Sequence, residues 1–314
     1  MIQIFVLYAV CALTFTVSKA ILSYSPPFFA IAVRMILAGS FILTGYALWK
    51  CIKNKQAFVQ DLKKVSWSDI GLFIIMMLFH IFIPYCAESW ALTQITSTES
   101  ALIYNLSPFV AAFFAFIWFG QIMSRRKWIG LILGTCSIIP LVIHYYQCSM
   151  FAQFFSFKIV PLLLVLSAVI SSAFAWIIFK KLVTEKAYSP YTINGIAMLG
   201  GGVAALALAY ANGEQAIALI SNWSIFLGLT ALIIILANVI FYNGYGIMLR
   251  RYSVPLLAFA GFSTPLFASF FGMFFLGECF SWNYLWSTVL VAIGLRMFYS
   301  EELRLHYIDT KANK

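Results

Sequence analysis

The sequence ALIYNLSPFVAAFFAFIWFGQ at residues 101–121 returns as AFAGFSTPLFASFFGMFFLGE at residues 258–278, and this repeat decides the fold. At a constant shift of 157 residues, the identical pairs are Ala101/Ala258, Pro108/Pro265, Ala111/Ala268, Phe113/Phe270, Phe114/Phe271, Gly120/Gly277 and Ser124/Ser281. Each stretch is long enough for a membrane-spanning helix and has a proline at its centre. A proline frees the carbonyl four residues earlier, here that of Tyr104 and that of Gly261, and another group must bond it in hydrocarbon. Two such bends predict a mid-membrane site lined by Pro108 and Pro265.

Composition identifies an integral membrane protein. Of the 314 residues, 63% are hydrophobic and only 10% are charged, which is too apolar for a soluble domain. The formal net charge of +10 would suggest nucleic acid in a soluble protein, but no basic stretch alternates with exposed aromatics on a domain of its own. We therefore expect a small solute and the lipid bilayer as partners, and no nucleic acid.

The chain is predicted to be all-α, with ten transmembrane helices of about 20 apolar residues each. We expect them at about residues 2–21, 27–49, 69–92, 97–119, 127–146, 158–180, 191–211, 223–247, 254–276 and 282–299. Seventeen of the twenty Lys and Arg residues fall in alternate connections or in the C-terminal tail, as cytoplasmic loops require. Both termini are therefore expected in the cytoplasm, and the apolar N-terminus is expected to be a retained span rather than a signal peptide.

Ten spans divide into two halves of five helices, 1–149 and 150–300, followed by a cytoplasmic tail at 301–314. Because five is odd, the second half would enter the membrane from the opposite side, which makes the two halves inverted repeats. The internal similarity extends to Tyr85, which matches Tyr242 at the same shift. The halves are thus predicted to meet around a common site.

The repeat resembles the EamA-type repeat of the drug/metabolite transporter superfamily. The motifs that carry the resemblance are Leu106-Ser107-Pro108 with Gly120-Gln121, Ser263-Thr264-Pro265 with Leu276-Gly277-Glu278, and Pro26-Pro27 followed by Arg34. The first half has Gln121 where the family usually has Glu. The resemblance implies a multi-pass transporter of the cell inner membrane, in which Arg34 is a structural charge.

Ionisable residues within the predicted spans are few, and such residues are usually kept for a pathway or a pairing. Lys19, Arg34 and Glu88 are all expected in the outer half of the membrane, where they could meet. In one interpretation, Glu88 neutralises Lys19 or Arg34 and the group fastens helices together as structural charge. In the other, Glu88 faces the cavity as a counter-charge for a cationic or zwitterionic solute, or as a titrating carboxyl that couples transport to protons. The sequence leaves both open.

The residues around Glu88 form a candidate substrate-binding site. Pro84 lies one turn before it and is expected to bend the helix and free the carbonyl of His80. Tyr85 and Glu88 share a helix face, and their counterparts in the second half are Tyr242 and Tyr245. The other candidates, which add polar edges, are Tyr104, Asn105 and Asn238. Amides in spans, including Asn194 and Asn243, also serve as interhelical hydrogen bonds, and Trp176 could wall an aromatic cavity.

The cysteines and histidines show no metal-ligand spacing, so we expect neither a metal site nor a cofactor. His80 is expected to be a hydrogen-bonded spectator. Gly130 and Gly134 form a GxxxG pattern, which serves either internal packing or a homodimer face. Gly200, Gly201 and Gly202 are expected to let two helices approach closely.

These features favour a secondary active transporter or exchanger. The chain has no GxxxxGK[ST] loop for ATP, and inverted repeats provide alternating access around a central site. A membrane-embedded transferase would need clustered His, Asp or Glu, and a channel would need a repeated polar lining. The function predicted here is therefore transport and not enzymatic.

An aromatic cavity with one negative group suits a solute that has a ring and a positive or zwitterionic end. Within the superfamily, this resembles what a transporter of S-adenosylmethionine and S-adenosylhomocysteine must bind. Export of amino acids or related metabolites is the alternative. The sequence leaves the direction and the coupling ion open.

Overall fold

The computed structural model describes most of the chain. The described residues are 2–53, 67–94, 100, 103–104, 106–120, 123–136, 139–140, 159–214, 220–264 and 267, with 282, 286, 289–290, 292–294, 296–298, 300–301 and 304 near the C-terminus. The predicted site residues Asn105 and Pro265 lie outside these ranges, as does the side chain of Lys19.

The regular elements of the described residues are all helical. They are α1 (Ile2–Leu22), α2 (Pro27–Lys53), α3 (Trp67–Ile75), the π-helix π1 (Met76–Phe82), α4 (Ile83–Leu92), α5 (Ser107–Phe119), α6 (Arg125–Cys136), α7 (Ile159–Thr184), α8 (Pro190–Ala211), α9 (Trp223–Ile233), the π-helix π2 (Ile234–Phe241), α10 (Tyr242–Met248) and α11 (Val254–Ala260), followed by a 3₁₀ turn (Gly261–Ser263). The predicted all-α membrane fold is confirmed at this level.

Five helical segments of the described residues are long and apolar enough to cross a membrane. They are Pro27–Lys53, Asp69–Leu92, Ile159–Thr184, Pro190–Ala211 and Trp223–Met248. Their bounds lie within a few residues of the predicted second, third, sixth, seventh and eighth spans. This agreement follows from the length of an apolar run that a bilayer requires.

The chain forms two compact units, and each contains segments from both sequence halves. The larger unit comprises Leu13–Tyr104 and Lys158–Arg251, and the smaller unit comprises Met1–Ala12, Asn105–Phe157 and Tyr252–Lys314. Compact packing therefore does not follow the predicted boundary at residue 150. The division into inverted repeats 1–149 and 150–300 describes how the two sequence halves are oriented in the membrane, and it stays a prediction.

Close packing of α8 in the larger unit depends on its glycines. A Cβ at Gly201 would lie 2.7 Å from Ile81 of π1, and one at Gly202 would lie 2.8 Å from the backbone nitrogen of Ile36 in α2. Both distances are shorter than a real Cβ contact, so side chains at these positions would push the helices apart. The predicted close approach at Gly200 to Gly202 is confirmed.

In the smaller unit, the GxxxG pattern of α6 packs internally. A Cβ at Gly130 would lie 2.8 Å from the carbonyl oxygen of Gly294, and one at Gly134 would lie 2.7 Å from the ring of Phe259. Of the two roles proposed for Gly130 and Gly134, internal packing is the one that the contacts support.

Pro108 lies in the first turn of α5, a few residues after the helical residues 103–104. The amides of Phe109 and Val110 both donate to the carbonyl oxygen of Leu106. A proline in the first turn leaves no hydrogen bond unmade, because the amides there have no intrahelical partner. A bend of the predicted span 97–119 at Pro108 stays a prediction, since residues 103–104 are also helical and Asn105 lies outside the described ranges. At its other end α5 stops at Gly120, whose φ of 60° is the left-handed conformation that glycine adopts readily.

Candidate functional site

Pro84 lies where π1 gives way to α4 in the larger unit. The amide of Ile83 donates to the carbonyl oxygen of Leu78, five residues earlier, so the wide π pairing extends to the end of the segment. The next acceptor in this pattern is Phe79, whose carbonyl has no N–H to meet it because residue 84 is proline. The π pairing thus points to the carbonyl of Phe79, and the expectation that Pro84 frees the carbonyl of His80 stays a prediction.

Ser171 of α7 supplies the missing donor. Its hydroxyl donates to the carbonyl oxygen of Phe79 at 2.9 Å. Serine hydroxyls commonly satisfy backbone carbonyls freed by proline in membrane helices. Sequence analysis missed Ser171, because nothing local in the sequence of α7 indicates which carbonyl it will face.

The second π-helix is completed by the side chain of Asn243. Its Nδ2 donates to the carbonyl oxygens of Asn238 and Val239, at 3.0 Å each. At the repeat shift, π1 and π2 fall at nearly equivalent positions, since Tyr85 and Tyr242 stand just after them. The corresponding helices of the two halves therefore both contain a π segment at this place. A serine of another helix bonds a carbonyl of the first segment, and an asparagine of the same helix bonds two carbonyls of the second. Such π segments frequently occur at functional sites.

A buried amide chain joins π1, α8 and α10. Nδ2 of Asn194 donates to Oδ1 of Asn243 at 3.1 Å, and Oδ1 of Asn194 lies 3.4 Å from Nε2 of His80. The last contact is a hydrogen bond when His80 carries its proton on Nε2. The prediction that Asn194 bonds a neighbouring helix is confirmed. His80 has the expected hydrogen-bond contact, and its role as a spectator stays a prediction.

Tyr85 and Tyr242 come together across the larger unit. Their phenolic oxygens form a hydrogen bond, so the two residues that match under the repeat also meet in space. Each side chain is half-buried, which leaves part of its surface for a solute. Tyrosine combines a broad apolar face with a polar edge, which suits recognition of a ring.

Trp176 of α7 extends the tyrosine pair into an aromatic cluster. Its ring stacks on Tyr242 at 5.7 Å between centroids and 21° between planes, and it approaches Tyr245 to 4.1 Å. His80 meets Trp176 edge-on at 4.5 Å. Tyr245 is buried and packs in this cluster, whereas Tyr85 and Tyr242 keep accessible surface.

Glu88 lies one turn beyond Tyr85, and a phenol holds its carboxylate. The hydroxyl of Tyr104 donates to Oε2 of Glu88 at 2.9 Å. Both side chains are half-buried, and the structure brings together the predicted site residues Tyr85, Glu88, Tyr104 and Tyr242. Among the described residues, no group of His, Cys, Asp and Glu has the arrangement of a metal site.

Arg34 of α2 is buried beside the tyrosines and bonds an amide. Its Nε donates to Oδ1 of Asn238 at 3.0 Å, and its guanidinium carbon lies 5.1 Å from the centroid of the Tyr85 ring. Within the described part of the chain, no ion pair joins Arg34 to Glu88. These two described side chains are therefore not in direct contact, and the interpretation that Glu88 neutralises Lys19 or Arg34 as structural charge stays a prediction. Asn238 serves as an interhelical hydrogen bond that orients Arg34.

This arrangement can hold an organic solute by its charge and its ring. A carboxylate, a guanidinium, two accessible phenols and an indole occupy one region of the larger unit, and most of them are positioned by π1, α4, π2 and α10.

The EamA-like transporter family matches residues 1–143 and 159–300, which is nearly the whole chain. The chain belongs to the EamA-like transporter family. The predicted membership is therefore confirmed, and with it the multi-pass membrane fold.

Curated relatives of this transporter are similar over nearly their full length. The S-adenosylmethionine/S-adenosylhomocysteine transporter of Chlamydia trachomatis serovar L2 is 30% identical over 299 residues, which cover 95% of this chain and 88% of that protein. The transporter of the same name from Chlamydia muridarum is 29% identical over 296 residues, covering 94% of this chain and 90% of that protein. Both relatives are transporters, as predicted for this chain.

A crystal structure with 16% sequence identity has the same fold. It superposes with a TM-score of 0.73 and covers 97% of this chain and 96% of its own. Similarity at this level of identity concerns the fold alone.

Proposed function

We propose that this protein is a secondary transporter of the cell inner membrane that carries S-adenosylmethionine or S-adenosylhomocysteine, as an exchanger with alternating access. The proposal rests on one observation above all: the carboxylate of Glu88, held by Tyr104, lies one helical turn from Tyr85, whose phenol bonds that of Tyr242. A negative group beside aromatic faces fits a solute with a positive end and a stacking ring.

The chemistry of these two metabolites matches that pattern. Both carry an adenine, which can stack on tyrosine and tryptophan faces, and an ammonium, which a carboxylate can bind by charge-assisted hydrogen bonds. S-adenosylmethionine adds a positively charged sulfonium, and aromatic rings attract such cations. The names of the relatives with about 30% identity support the same substrate class.

The proposed topology is ten spans with both termini in the cytoplasm, arranged as the inverted repeats 1–149 and 150–300 with a tail at 301–314. The distribution of Lys and Arg supports it, and so does the match of the family to two separate segments, 1–143 and 159–300. A homodimer is also proposed. Gly130 and Gly134 pack internally, so they do not supply the surface for it.

Exchange in proteoliposomes tests the proposed function. Vesicles loaded with unlabelled S-adenosylhomocysteine should take up labelled S-adenosylmethionine several-fold faster than empty vesicles. Equal rates would contradict exchange, and no uptake by correctly inserted protein would contradict the substrate. Trans-stimulation by amino acids, with none by the adenosyl compounds, would favour the amino-acid alternative. Chemical conversion of the solute without net movement would favour a transferase.

A further inference from the structure

Arg34 carries a buried charge that, among the described residues, has one hydrogen-bond partner. Its side chain is 5% exposed, and among the described residues its hydrogen-bond partner is Oδ1 of Asn238, a neutral amide. The guanidinium also lies over the ring face of Tyr85, in a cation–π contact. A guanidinium has five N–H donors, so one hydrogen bond through Nε leaves most of them unused. Burying such a charge in a membrane protein is costly unless a partner is supplied.

Asn238 fixes the orientation of Arg34. While its Oδ1 accepts from Nε, its Nδ2 faces the sulfur atoms of Met35 and Met198 at 3.4 Å each. Because Nε is engaged, the outer pair of Nη donors is the part of the guanidinium left for another group. That pair matches the two oxygens of a carboxylate, with which arginine forms two parallel hydrogen bonds.

The carboxylate of Glu88 does not bond the outer Nη donors of Arg34, although both residues belong to the candidate site. That carboxylate is held by Tyr104, and within the described residues it forms no ion pair with Arg34. Tyr85 connects the two groups: the guanidinium carbon of Arg34 lies 5.1 Å from the centroid of its ring, and Glu88 follows it by one turn of α4. A zwitterion can bridge two groups of opposite sign arranged in this way.

We propose that Arg34 binds the carboxylate of the substrate while Glu88 faces its ammonium, so that the site recognises the α-amino-acid end of an adenosyl compound. This inference rests on the proposed function and narrows it: the substrate class becomes zwitterionic amino-acid conjugates, and nucleosides or simple organic cations are excluded. Tyr85, which lies against Arg34 and bonds Tyr242, then joins the amino-acid end of the site to the aromatic end.

Competition in the wild-type protein tests the carboxylate without any mutation. Labelled S-adenosylmethionine is exchanged in proteoliposomes against rising concentrations of S-adenosylhomocysteine, of its decarboxylated analogue or of its deaminated analogue. The decarboxylated compound should compete about ten-fold or more less well, because it lacks the charged hydrogen bonds to Arg34. Equal competition by S-adenosylhomocysteine and the decarboxylated compound would overturn the proposal.

Two variants locate the effect. In Arg34→Gln, S-adenosylhomocysteine should lose affinity by a similar factor, while the decarboxylated analogue should bind as it does to the wild type. The deaminated analogue should show the same selective response in Glu88→Gln. Arg125→Gln is the matched control, since Arg125 is exposed and its loss removes one positive charge without altering competition. If Arg34→Gln weakened both adenosyl compounds equally, Arg34 would be structural and the proposal would fail; if the variant did not fold, the wild-type series would decide.

Thermal melts of the purified protein separate this inference from the proposed function. Methionine should raise the Tm of the wild type more than its decarboxylated amine does, and Arg34→Gln should abolish the difference. That result, with no uptake of S-adenosylmethionine, would reject the adenosyl substrate and retain the carboxylate site. Uptake of S-adenosylmethionine with no discrimination between competitors would retain the transporter and reject the role of Arg34.

Discussion

The hydroxyl of Ser171 donates a hydrogen bond to the carbonyl oxygen of Phe79 at 2.9 Å, the position that Pro84 leaves without a backbone donor. This bond ties α7 to the π-helix that precedes Tyr85 and Glu88. The geometry of the candidate site therefore depends on a residue that does not itself face a solute.

Ser171→Ala should lower stability, because a buried carbonyl in hydrocarbon would then have no donor. We expect a loss of about 1–3 kcal/mol, seen as a lower Tm in detergent. Ser167→Ala is the matched control, since the Ser167 hydroxyl bonds the carbonyl of Leu164 within its own helix and its removal should have little effect. Equal losses in the two variants would argue against a special role for the bond to Phe79.

The paired phenols of Tyr85 and Tyr242 should be coupled. If each hydroxyl serves the other, the double variant Tyr85→Phe/Tyr242→Phe should cost less than the sum of the single variants, with a coupling energy of about 1 kcal/mol. Substrate affinity and Tm measured over a double-mutant cycle would show this. Tyr85→Phe combined with Tyr46→Phe provides the comparison, because Tyr46 stacks on Tyr191 instead and should be additive. Additivity in the first pair would contradict coupling of the hydroxyls.

Asp69 at the start of the third predicted span should be more sensitive to substitution than its partner. Its carboxylate lies 2.9 Å from Nζ of Lys186 and accepts a hydrogen bond from Tyr188 at 2.8 Å. The side chain of Asp69 is only 5% exposed, whereas that of Lys186 is 41% exposed.

Asp69→Ala should therefore lower the Tm clearly more than Lys186→Ala, because it removes a buried hydrogen bond to Tyr188 together with the ion pair, while the lysine can be hydrated. Thermal melts of the two variants side by side measure the difference. A larger loss for Lys186→Ala would contradict this account of the cluster.

Much of the fold could be predicted because the bilayer imposes simple rules. An apolar run of fixed length predicted the bounds of α2, α7 and α8 to within a few residues. The glycines at Gly200 to Gly202 indicated close packing, since only small residues let membrane helices approach. The repeat matched Tyr85 with Tyr242, and the structure adds that their hydroxyls bond each other.

What could not be predicted depended on contacts distant in the sequence. Whether Pro84 frees the carbonyl four or five residues earlier is decided by the π pairing of the segment, and Ser171 completes that pairing from another helix. The place of Pro108 in the first turn of α5 could not be predicted either, because proline is suited both to bend a helix and to begin one. The structural role expected of Arg34 stays a prediction, and its amide partner Asn238 could not be identified in advance because it lies 204 residues away. Charge alone could not show that Arg34 and Glu88 would remain out of contact.

The most direct test of the account is the exchange rate of S-adenosylmethionine by Glu88→Gln, divided by the amount of folded protein. The substitution keeps the shape of the side chain and removes the charge that faces the positive end of the solute. We predict a fall of about ten-fold or more with little change in folded yield, and no fall for Glu185→Gln, whose side chain is exposed beyond α7. An unchanged exchange rate, or a folded yield that falls in parallel with exchange, would contradict the assignment of Glu88 to substrate binding.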